Sequence, residues 1–199
     1  MAKKQRTATV ERKTRETSLR VQLSLDGTGK TSIQTPVGFL NHMLELFARH
    51  GRFDIKLEGS GDVGVDAHHT TEDVGIVLGE AFRRALGGKE GIVRFADARV
   101  PMQESLAQVA VDISGRPLLS FNGKFPADKV GEFDVELVPE FLQAFTTNAG
   151  ITVHVDVVRG ANTHHVAEAI FKALAVALRR AVSLDPNAAG EVPSTKGTL

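Results

Sequence analysis

The stretch AHHTTED at residues 67–73 contains two adjacent histidines and a glutamate in the pattern HHxxE. The pattern returns 96 positions later, in THHVAE at residues 163–168. The six residues concerned are His68, His69, Glu72, His164, His165 and Glu168. The match extends past the motif, since Arg84 corresponds to Arg180 at the same offset. A repeat of this length predicts an internal duplication, with two similar αβ half-domains related by a pseudo-twofold axis.

Hydrophobic periodicity predicts the same kinds of element in each half. In the first half we expect strands at residues 19–25 and 53–57, and helices at residues 37–50 and from Thr70 onward. In the second half we expect strands at residues 106–113 and 150–158, and helices at residues 135–146 and 163–181. The earlier helix of each half aligns at an offset of 98, which sets His42 against Glu140.

Local signals predict turns and helix caps. DGTGK at residues 26–30 is typical of a turn, and we expect a hairpin there between the strand before it and TSIQT at residues 31–35. Thr70 and Asp73 resemble a capping pair at the start of a helix. Thr163 is expected to cap the last helix in the same way.

Composition and charge narrow the class of protein. The chain has 199 residues, 42% of them hydrophobic, a formal net charge of zero and a pI near 7.1. This balance points to neither a nucleic-acid nor a membrane partner. The first twenty residues are locally basic, and we interpret them as a solvated leader rather than an RNA-binding arm. We expect no secretory signal and no membrane span, and the absence of cysteine fits a reducing cytoplasm.

The HHxxE pattern favours metal binding. Neighbouring helical residues project about 100° apart, so the two histidines of one motif are suited to two different ions. Glu72 lies one turn after either histidine of its motif. A helix N-terminus is an unfavourable place for a charged histidine, and such a placement occurring twice is hard to explain by packing. Imidazole and carboxylate ligands without sulfur suit Mn, Fe, Ni or Zn.

Several further residues carry groups that bind phosphate. Guanidinium, ammonium and hydroxyl groups are the partners of a phosphate dianion. Each of these side chains taken alone is more typical of a solvated surface, and the tail taken alone is more typical of disorder. The candidates are Arg94, Arg116, Lys172, Ser194, Thr195 and Lys196.

Several motifs together resemble one enzyme family. They are FLNHML, DAHHTTEDVGI, SGRP, NTHHVAEAIFKALAVAL and PSTKG, and they are similar to those of the imidazoleglycerol-phosphate dehydratases from about Arg6 to Gly197. The resemblance implies an α/β (α+β) fold that duplicates a half-domain like the second domain of ribosomal protein S5. Each half-domain would have a four-stranded sheet with helices packed on it. We expect residues 1–92 and 93–185 to form the halves and residues 186–199 to form a tail that contributes to the active site.

The resemblance also implies the components of the active site. It implies two Mn²⁺ ions per site, and trimers that assemble into a homo-oligomeric 24-subunit shell with active sites between subunits. The implied ligands are His42, His68, His69, Glu72, Glu140, His164, His165 and Glu168. The implied substrate contacts are Glu16, Arg94, Arg116, Lys172, Ser194 and Lys196. Glu140 stands where several relatives carry histidine, and Leu46 stands where some carry a glutamine near the substrate.

The implied reaction dehydrates D-erythro-imidazole-glycerol phosphate to imidazole-acetol phosphate in histidine biosynthesis. The proton to be removed is not next to a carbonyl group. A metal-bound imidazolate form of the substrate ring would assist loss of the hydroxyl by charge stabilisation. Glu16 is the expected acid and base, a role that rests on the resemblance alone.

Pseudo-twofold symmetry predicts how the ligands divide between the ions. Because adjacent histidines point apart, we expect the two motifs to exchange ligands. One ion is then held by His42, His69, Glu72 and His164, and the other by Glu140, His165, Glu168 and His68.

Two other classes of function remain open from sequence. A two-metal phosphoesterase would also place Arg and Lys near a metal pair. An S5-like RNA-binding module would use a basic arm, although the zero net charge and the duplicated motif count against it.

Overall fold

The computed structural model describes residues 5–188, 190–197 and 199, and within them it contains ten strands and four helices. The first half contains β1 (Thr7–Lys13), β2 (Thr17–Ser24), β3 (Thr31–Gln34), α1 (Gly38–Gly51), β4 (Asp54–Gly61) and α2 (His68–Leu86). The second half contains β5 (Phe95–Met102), β6 (Ser105–Asp112), β7 (Leu118–Asn122), β8 (Lys129–Val130), β9 (Phe133–Asp134), α3 (Leu137–Ala149), β10 (Thr152–Arg159) and α4 (Thr163–Ala181).

The two halves share one topology. The strand orders of the two four-stranded sheets are β1-β2-β4-β3 and β5-β6-β10-β7. In each sheet the first two strands, β1-β2 or β5-β6, form an antiparallel hairpin. At the opposite edge one strand pairs in parallel with its neighbour, β3 with β4 in the first sheet and β7 with β10 in the second. The second half adds the small hairpin β8-β9 before α3. The duplicated α/β fold predicted from the repeated motif is therefore confirmed.

The helices of the two halves pack against each other. β2 alternates buried and exposed side chains, so each sheet turns one face to the helices and the other to solvent. Helix α2 contacts α3, and α1 contacts α4, so each helix pair crosses from one half to the other. Phe145 of the second half packs edge-to-face against Phe47 and Phe82 of the first, with ring centroids 5.9 and 5.6 Å apart. One continuous core therefore fixes the relative position of the two halves.

Two glycines allow the close contact between α2 and α3. A Cβ atom at Gly79 would lie 2.5 Å from the carbonyl oxygen of Phe145, and one at Gly75 would lie 2.8 Å from that of Phe141. Both distances are shorter than any van der Waals contact. A side chain at either position would force the two helices apart.

Two predictions for the N-terminal part of the chain were wrong. β3 does not form a hairpin with β2, because it pairs in parallel with β4, which lies between them in the sheet. Residues 7–13 are not a solvated leader, because β1 pairs along its whole length with β2 and buries Val10. Residues 1–4 lie outside the described part of the chain.

The two cap predictions were also wrong. Helix α2 already begins at His68, so Thr70 lies inside its first turn, and Asp73 accepts hydrogen bonds from Arg12 and Thr17 instead. Helix α4 is capped by Asn162, whose side chain accepts a hydrogen bond from the backbone N–H of His165. Thr163 instead accepts a hydrogen bond from the backbone N–H of Ala127.

Within the residues that the structure describes, no helix combines the length and the apolar character that a membrane crossing needs.

Candidate active site and metal centre

His42, His164 and Glu168 meet where α1 packs against α4. Oε1 of Glu168 lies 3.1 Å from Nε2 of His42 and 3.0 Å from Nε2 of His164. One ligand atom from each residue lies within 4.8 Å of the other two. Spacing of i, i+4 on α4 brings His164 above Glu168, and the packing of the two helices adds His42. These three groups could hold one cation.

Glu168 is buried and carries a negative charge. Burial alone would raise its pKa, but hydrogen bonds from Lys172, His42 and His164 outweigh burial and lower the pKa to about 2. Its second oxygen, Oε2, accepts a hydrogen bond of 2.5 Å from Nζ of Lys172. The carboxylate is therefore ionised at neutral pH, with the two histidines bound to Oε1 and Lys172 bound to Oε2.

His69 faces a different group of residues. Its Nδ1 lies 2.9 Å from Oδ2 of Asp62 and 3.8 Å from Oε2 of Glu16. The hydrogen bond to Asp62 raises the pKa of His69 above its ordinary value. Asp62 follows the end of β4 directly, while Glu16 lies in the turn between β1 and β2.

His165 is held by a glutamate in the second half. Its Nδ1 lies 2.8 Å from Oε2 of Glu104, in the turn between β5 and β6. Oε1 of Glu104 accepts hydrogen bonds from the backbone N–H groups of Ala161 and Asn162, at 3.3 and 3.0 Å. The hydrogen bond to His165 is the main cause that lowers the pKa of Glu104 to about 2.

Adjacent histidines diverge in both motifs, as the sequence predicted. The rings of His68 and His69 are perpendicular, with centroids 6.1 Å apart. His164 contacts Glu168 while its neighbour His165 contacts Glu104. The second motif therefore presents its two imidazoles to different surroundings, and the rings of the first motif point in different directions.

The remaining acidic candidates lie between α2 and α3. Glu72 and Glu140 line the same small surface pocket, together with Ile76 and Gln143. No described contact joins this pocket to the triad of His42, His164 and Glu168. The expected division of ligands was wrong in one respect, because Glu168 lies with His42 and not with Glu140. Helix α4 packs on α1, which places its glutamate beside the histidine of that helix.

The candidate phosphate-binding residues lie in two places: Lys172 is next to the triad, and the others belong to the second half and the tail. Lys172 contacts Glu168, next to the triad. Arg94 is largely buried, with Nε 2.8 Å from Oδ1 of Asp112 and with a guanidinium N–H donated over 2.6 Å to the carbonyl oxygen of Pro193. Arg94 thus ties the tail to the second half.

The remaining candidates for phosphate binding, Arg116 and the tail residues 194–196, are accessible to solvent. The side chain of Arg116 is exposed and lies 4.0 Å from Asp112, the carboxylate that also binds Arg94. In the tail, Ser194 accepts a hydrogen bond from the backbone N–H of Lys196, and Thr195 and Lys196 are exposed. Leu46 packs partly against the core.

Sequence reasoning missed Asp62 and Glu104. Glu104 carried a signal, because it lies 88 positions after Glu16 and each precedes a hydroxyl residue, Thr17 or Ser105, at the start of a strand. Asp62 carried none, since the equivalent position after β10 is Gly160.

Comparison with known proteins gives one consistent result. The model of the imidazoleglycerol-phosphate dehydratase family matches residues 35–178. An imidazoleglycerol-phosphate dehydratase from Azorhizobium caulinodans is 60% identical over 98% of both chains. One from Methylorubrum populi is 59% identical over 98% of this chain and all of its own.

Two crystal structures of such enzymes have closely similar folds. The Staphylococcus aureus enzyme superimposes with a TM-score of 0.82 at 45% identity, over 90% of this chain and 99% of its own. The Pyrococcus furiosus enzyme gives a TM-score of 0.82 at 36% identity, over 96% of this chain and all of its own.

The duplicated fold and its family match define a lyase. The chain belongs to the imidazoleglycerol-phosphate dehydratase family, and its reaction is the dehydration step of histidine biosynthesis. The family is metal-dependent, in agreement with the histidine and carboxylate groups described above. The phosphoesterase alternative is not favoured.

Proposed function

We propose that this chain dehydrates imidazoleglycerol phosphate at a site that holds two Mn²⁺ ions and lies between subunits. The observation that carries the proposal is the triad of His42, His164 and Glu168, with ligand atoms within 4.8 Å of one another. Two imidazole nitrogens and an ionised, buried carboxylate suit a divalent transition metal of this kind. The donor set therefore fits the metal that the family resemblance implies.

A second triad follows from the duplication. His42 corresponds to Glu140, and the pair His164 and Glu168 corresponds to His68 and Glu72. The shared pocket between α2 and α3 supports this set, since Glu72 and Glu140 both line it. We assign the second ion to Glu140, His68 and Glu72.

The remaining histidines support an active site between subunits. His69 and His165 turn away from the triads of their own chain and toward Asp62 and Glu104. We assign each of them as a ligand to a triad on a neighbouring copy. The homo-oligomer of trimers assembled into a 24-subunit shell, in the cytoplasm, belongs to the same proposal.

Bound at the triads, the cations would stabilise the anionic form of the substrate's imidazole ring. The carboxylate of Glu16 is free to take the proton from the chain carbon next to the one bearing the hydroxyl group, since its side chain is half exposed. The C–H electron pair forms the new double bond, and the hydroxyl group on the carbon attached to the ring leaves as water with a proton supplied by solvent, while the abstracted proton stays on Glu16. The resulting enol becomes the ketone when Glu16 returns that proton to carbon and the enol O–H gives its proton to solvent.

Cationic and hydroxyl groups would hold the substrate phosphate and lend its binding energy to the chemistry. Arg94 anchors the tail through the carbonyl oxygen of Pro193, and Arg116 lies 4.0 Å from Asp112, the carboxylate that also binds Arg94. The proposed phosphate contacts are Arg94, Arg116, Lys172, Ser194, Thr195 and Lys196. We also propose the division into residues 1–92, residues 93–185 and the tail 186–199.

Product analysis with the Mn²⁺-loaded protein tests the proposal. Imidazoleglycerol phosphate should yield a ketone that keeps its phosphate, and metal analysis should give about two ions per chain. Glu168→Gln should lose one ion and most activity, while Glu58→Gln on the exposed face of the first sheet should change neither. Release of inorganic phosphate without a ketone would refute the proposal and favour the phosphoesterase.

A further inference from the structure

The turns β1-β2 and β5-β6 carry glutamates at equivalent positions. Glu16 directly precedes β2, and Glu104 directly precedes β6. The residue that follows each glutamate is buried and bears a hydroxyl group, since Thr17 is 4% exposed and Ser105 is 1% exposed. Both glutamates approach the second histidine of the motif in their own half. Glu16 and Glu104 are therefore counterparts under the duplication.

The two glutamates make different contacts. Oε2 of Glu104 lies 2.8 Å from Nδ1 of His165, and its Oε1 is occupied by the hydroxyl of Ser105 and two backbone N–H groups. Oε2 of Glu16 lies 3.8 Å from Nδ1 of His69, beyond hydrogen-bond distance. Both oxygens of Glu104 accept hydrogen bonds, whereas Glu16 makes no side-chain hydrogen bond to His69.

Asp62 takes the position beside His69 that Glu104 takes beside His165. Its Oδ2 lies 2.9 Å from Nδ1 of His69. Its Oδ1 is buried without a hydrogen-bond partner among the described residues, so the contact to His69 accounts for the placement of this carboxylate. The second half has no such aspartate, because Gly160 stands at the equivalent position.

The second half has no room for an aspartate at position 160. A Cβ atom on Gly160 would lie 2.6 Å from Oγ of Ser105 and 2.4 Å from a methyl carbon of Val166. The connection from β10 to α4 is also short, at residues 160–162, whereas residues 62–67 connect β4 to α2. In the second half Glu104 therefore binds the histidine of the motif, as Asp62 does in the first half.

We propose that Glu104 is a positioning residue that fixes the tautomer and ring orientation of His165. Asp62 does the same for His69. Because Asp62 fills this role, Glu16 is left free for proton transfer. An ionised carboxylate only accepts hydrogen bonds, so the hydrogen of each imidazole is held on Nδ1. Nε2 of each ring then keeps its lone pair for a cation. This inference rests on the proposed function for the ligand role of His69 and His165.

One consequence is that the pseudo-twofold pair is asymmetric in function. The two similar turns carry one glutamate each, but only Glu16 can exchange protons with the substrate, because Asp62 binds His69 in its place. The duplication thus gives one acid–base group and one orienting group at equivalent positions.

Glu104→Gln tests the proposal in the assembled protein. The amide oxygen can still accept from the backbone N–H groups of residues 161 and 162, while the amide N–H₂ faces Nδ1 of His165 and favours the opposite tautomer. Solid-state ¹⁵N NMR of the metal-free, histidine-labelled protein should show His165 shifting to the Nε2–H form, with His165→Gln to assign its signal. Mn²⁺ titration should show one class of ion bound roughly 10- to 100-fold more weakly. Saturating Mn²⁺ should restore most of kcat.

Three variants serve as comparisons. Asp62→Asn should weaken Mn²⁺ binding to the same degree and change the tautomer of His69, not that of His165. Glu16→Gln should lower kcat with Mn²⁺ affinity unchanged. Asn162→Ala removes the cap of α4 and should lower the melting temperature without changing either tautomer.

Two results would overturn the proposal. The first is an unchanged His165 tautomer and unchanged Mn²⁺ affinity in Glu104→Gln. The second is a loss of kcat that saturating Mn²⁺ does not restore, which would make Glu104 itself an acid–base group. The NMR and Mn²⁺ titrations need no substrate, so failure of the proposed reaction would be seen separately, as absence of turnover by the unmodified protein.

Discussion

Nε2 of His42 lies 3.1 Å from Oε1 of Glu168, and this contact joins α1 of the first half to α4 of the second. The two residues are 126 positions apart in sequence. Lys172 holds the other oxygen of the same carboxylate. The proposed metal triad is therefore assembled by the packing of the two halves, and it depends on the helix contacts that form the shared core.

The second triad can be tested at Glu140, which is exposed on α3. Glu140→Ala should lose or strongly weaken one ion of the pair. An exposed helix residue without a ligand role would instead leave both ions bound and change stability by less than about 0.5 kcal/mol. Glu140→His should keep both ions, because imidazole also belongs to this ligand set. Metal analysis of both variants decides the assignment, with Glu58→Ala, on the exposed face of the first sheet, as the control. Two ions retained in Glu140→Ala would contradict it.

Replacement of Glu16 by glutamine should affect turnover alone. The variant keeps the shape of the side chain and removes the proton acceptor, so kcat should fall by roughly 10²-fold or more. Mn²⁺ content and substrate affinity should change little. Steady-state kinetics with Glu11→Gln, an exposed residue of β1, provides the comparison. Near-normal turnover in Glu16→Gln would mean that another carboxylate acts.

Metal removal should change the size of the particle. If His69 and His165 bind ions on a neighbouring copy, the ions link subunits and their removal weakens assembly. Light scattering should show smaller species after chelation and recovery of the large particle when Mn²⁺ is returned. A single unchanged size in all three states would exclude ligands shared between subunits.

The close contact of α2 and α3 predicts opposite outcomes for two glycine substitutions. Gly79→Ala places a Cβ 2.5 Å from the carbonyl oxygen of Phe145 and should lower the free energy of unfolding by about 1–3 kcal/mol. Gly38→Ala at the start of α1 meets no atom within 4 Å and should be neutral or stabilising by up to about 1 kcal/mol. Denaturant unfolding of the two variants measures the difference. Equal stabilities would show that the helices can separate freely.

Asp54 should make stability depend on pH in the acid range. Its burial would raise the pKa, but Oδ1 accepts hydrogen bonds from the backbone N–H groups of residues 28, 29 and 30, and the pKa falls below its ordinary value of 3.8. Because the folded pKa is the lower one, the ionised group contributes stability that is complete above about pH 4. That contribution is lost as pH falls through the folded pKa.

The variant Asp54→Asn keeps the acceptor oxygen and removes the charge. At pH 7 it should be less stable than the unmodified protein by about 1 kcal/mol, since hydrogen bonds to a charged acceptor are the stronger ones. Unfolding curves measured between pH 7 and pH 2 should converge for the two proteins at the acid end. A difference that stays constant over this range would rule out the charge as its cause.

Much of the fold was predictable because its signals are local or periodic. Offsets of 96 and 98 aligned the motifs and the earlier helices, so the duplication and the helix carrying Phe47 were found from sequence. Local rules failed where a longer contact competed with them. DGTGK is typical of a hairpin turn, but β4 occupies the place beside β2, and β3 pairs with β4 on its other side.

The sequence alone was also enough to predict which types of side chain form the candidate site. Imidazole and carboxylate groups at a repeated spacing define the chemistry of the ligands, and adjacent positions on a helix must diverge. Only the tertiary structure decided which groups meet. Glu168 joins His42 because α4 packs on α1, and Glu104 reaches His165 because the β5-β6 turn lies beside the start of α4. Such contacts depend on how helices and sheets pack across more than fifty residues of chain, which no spacing within one element encodes.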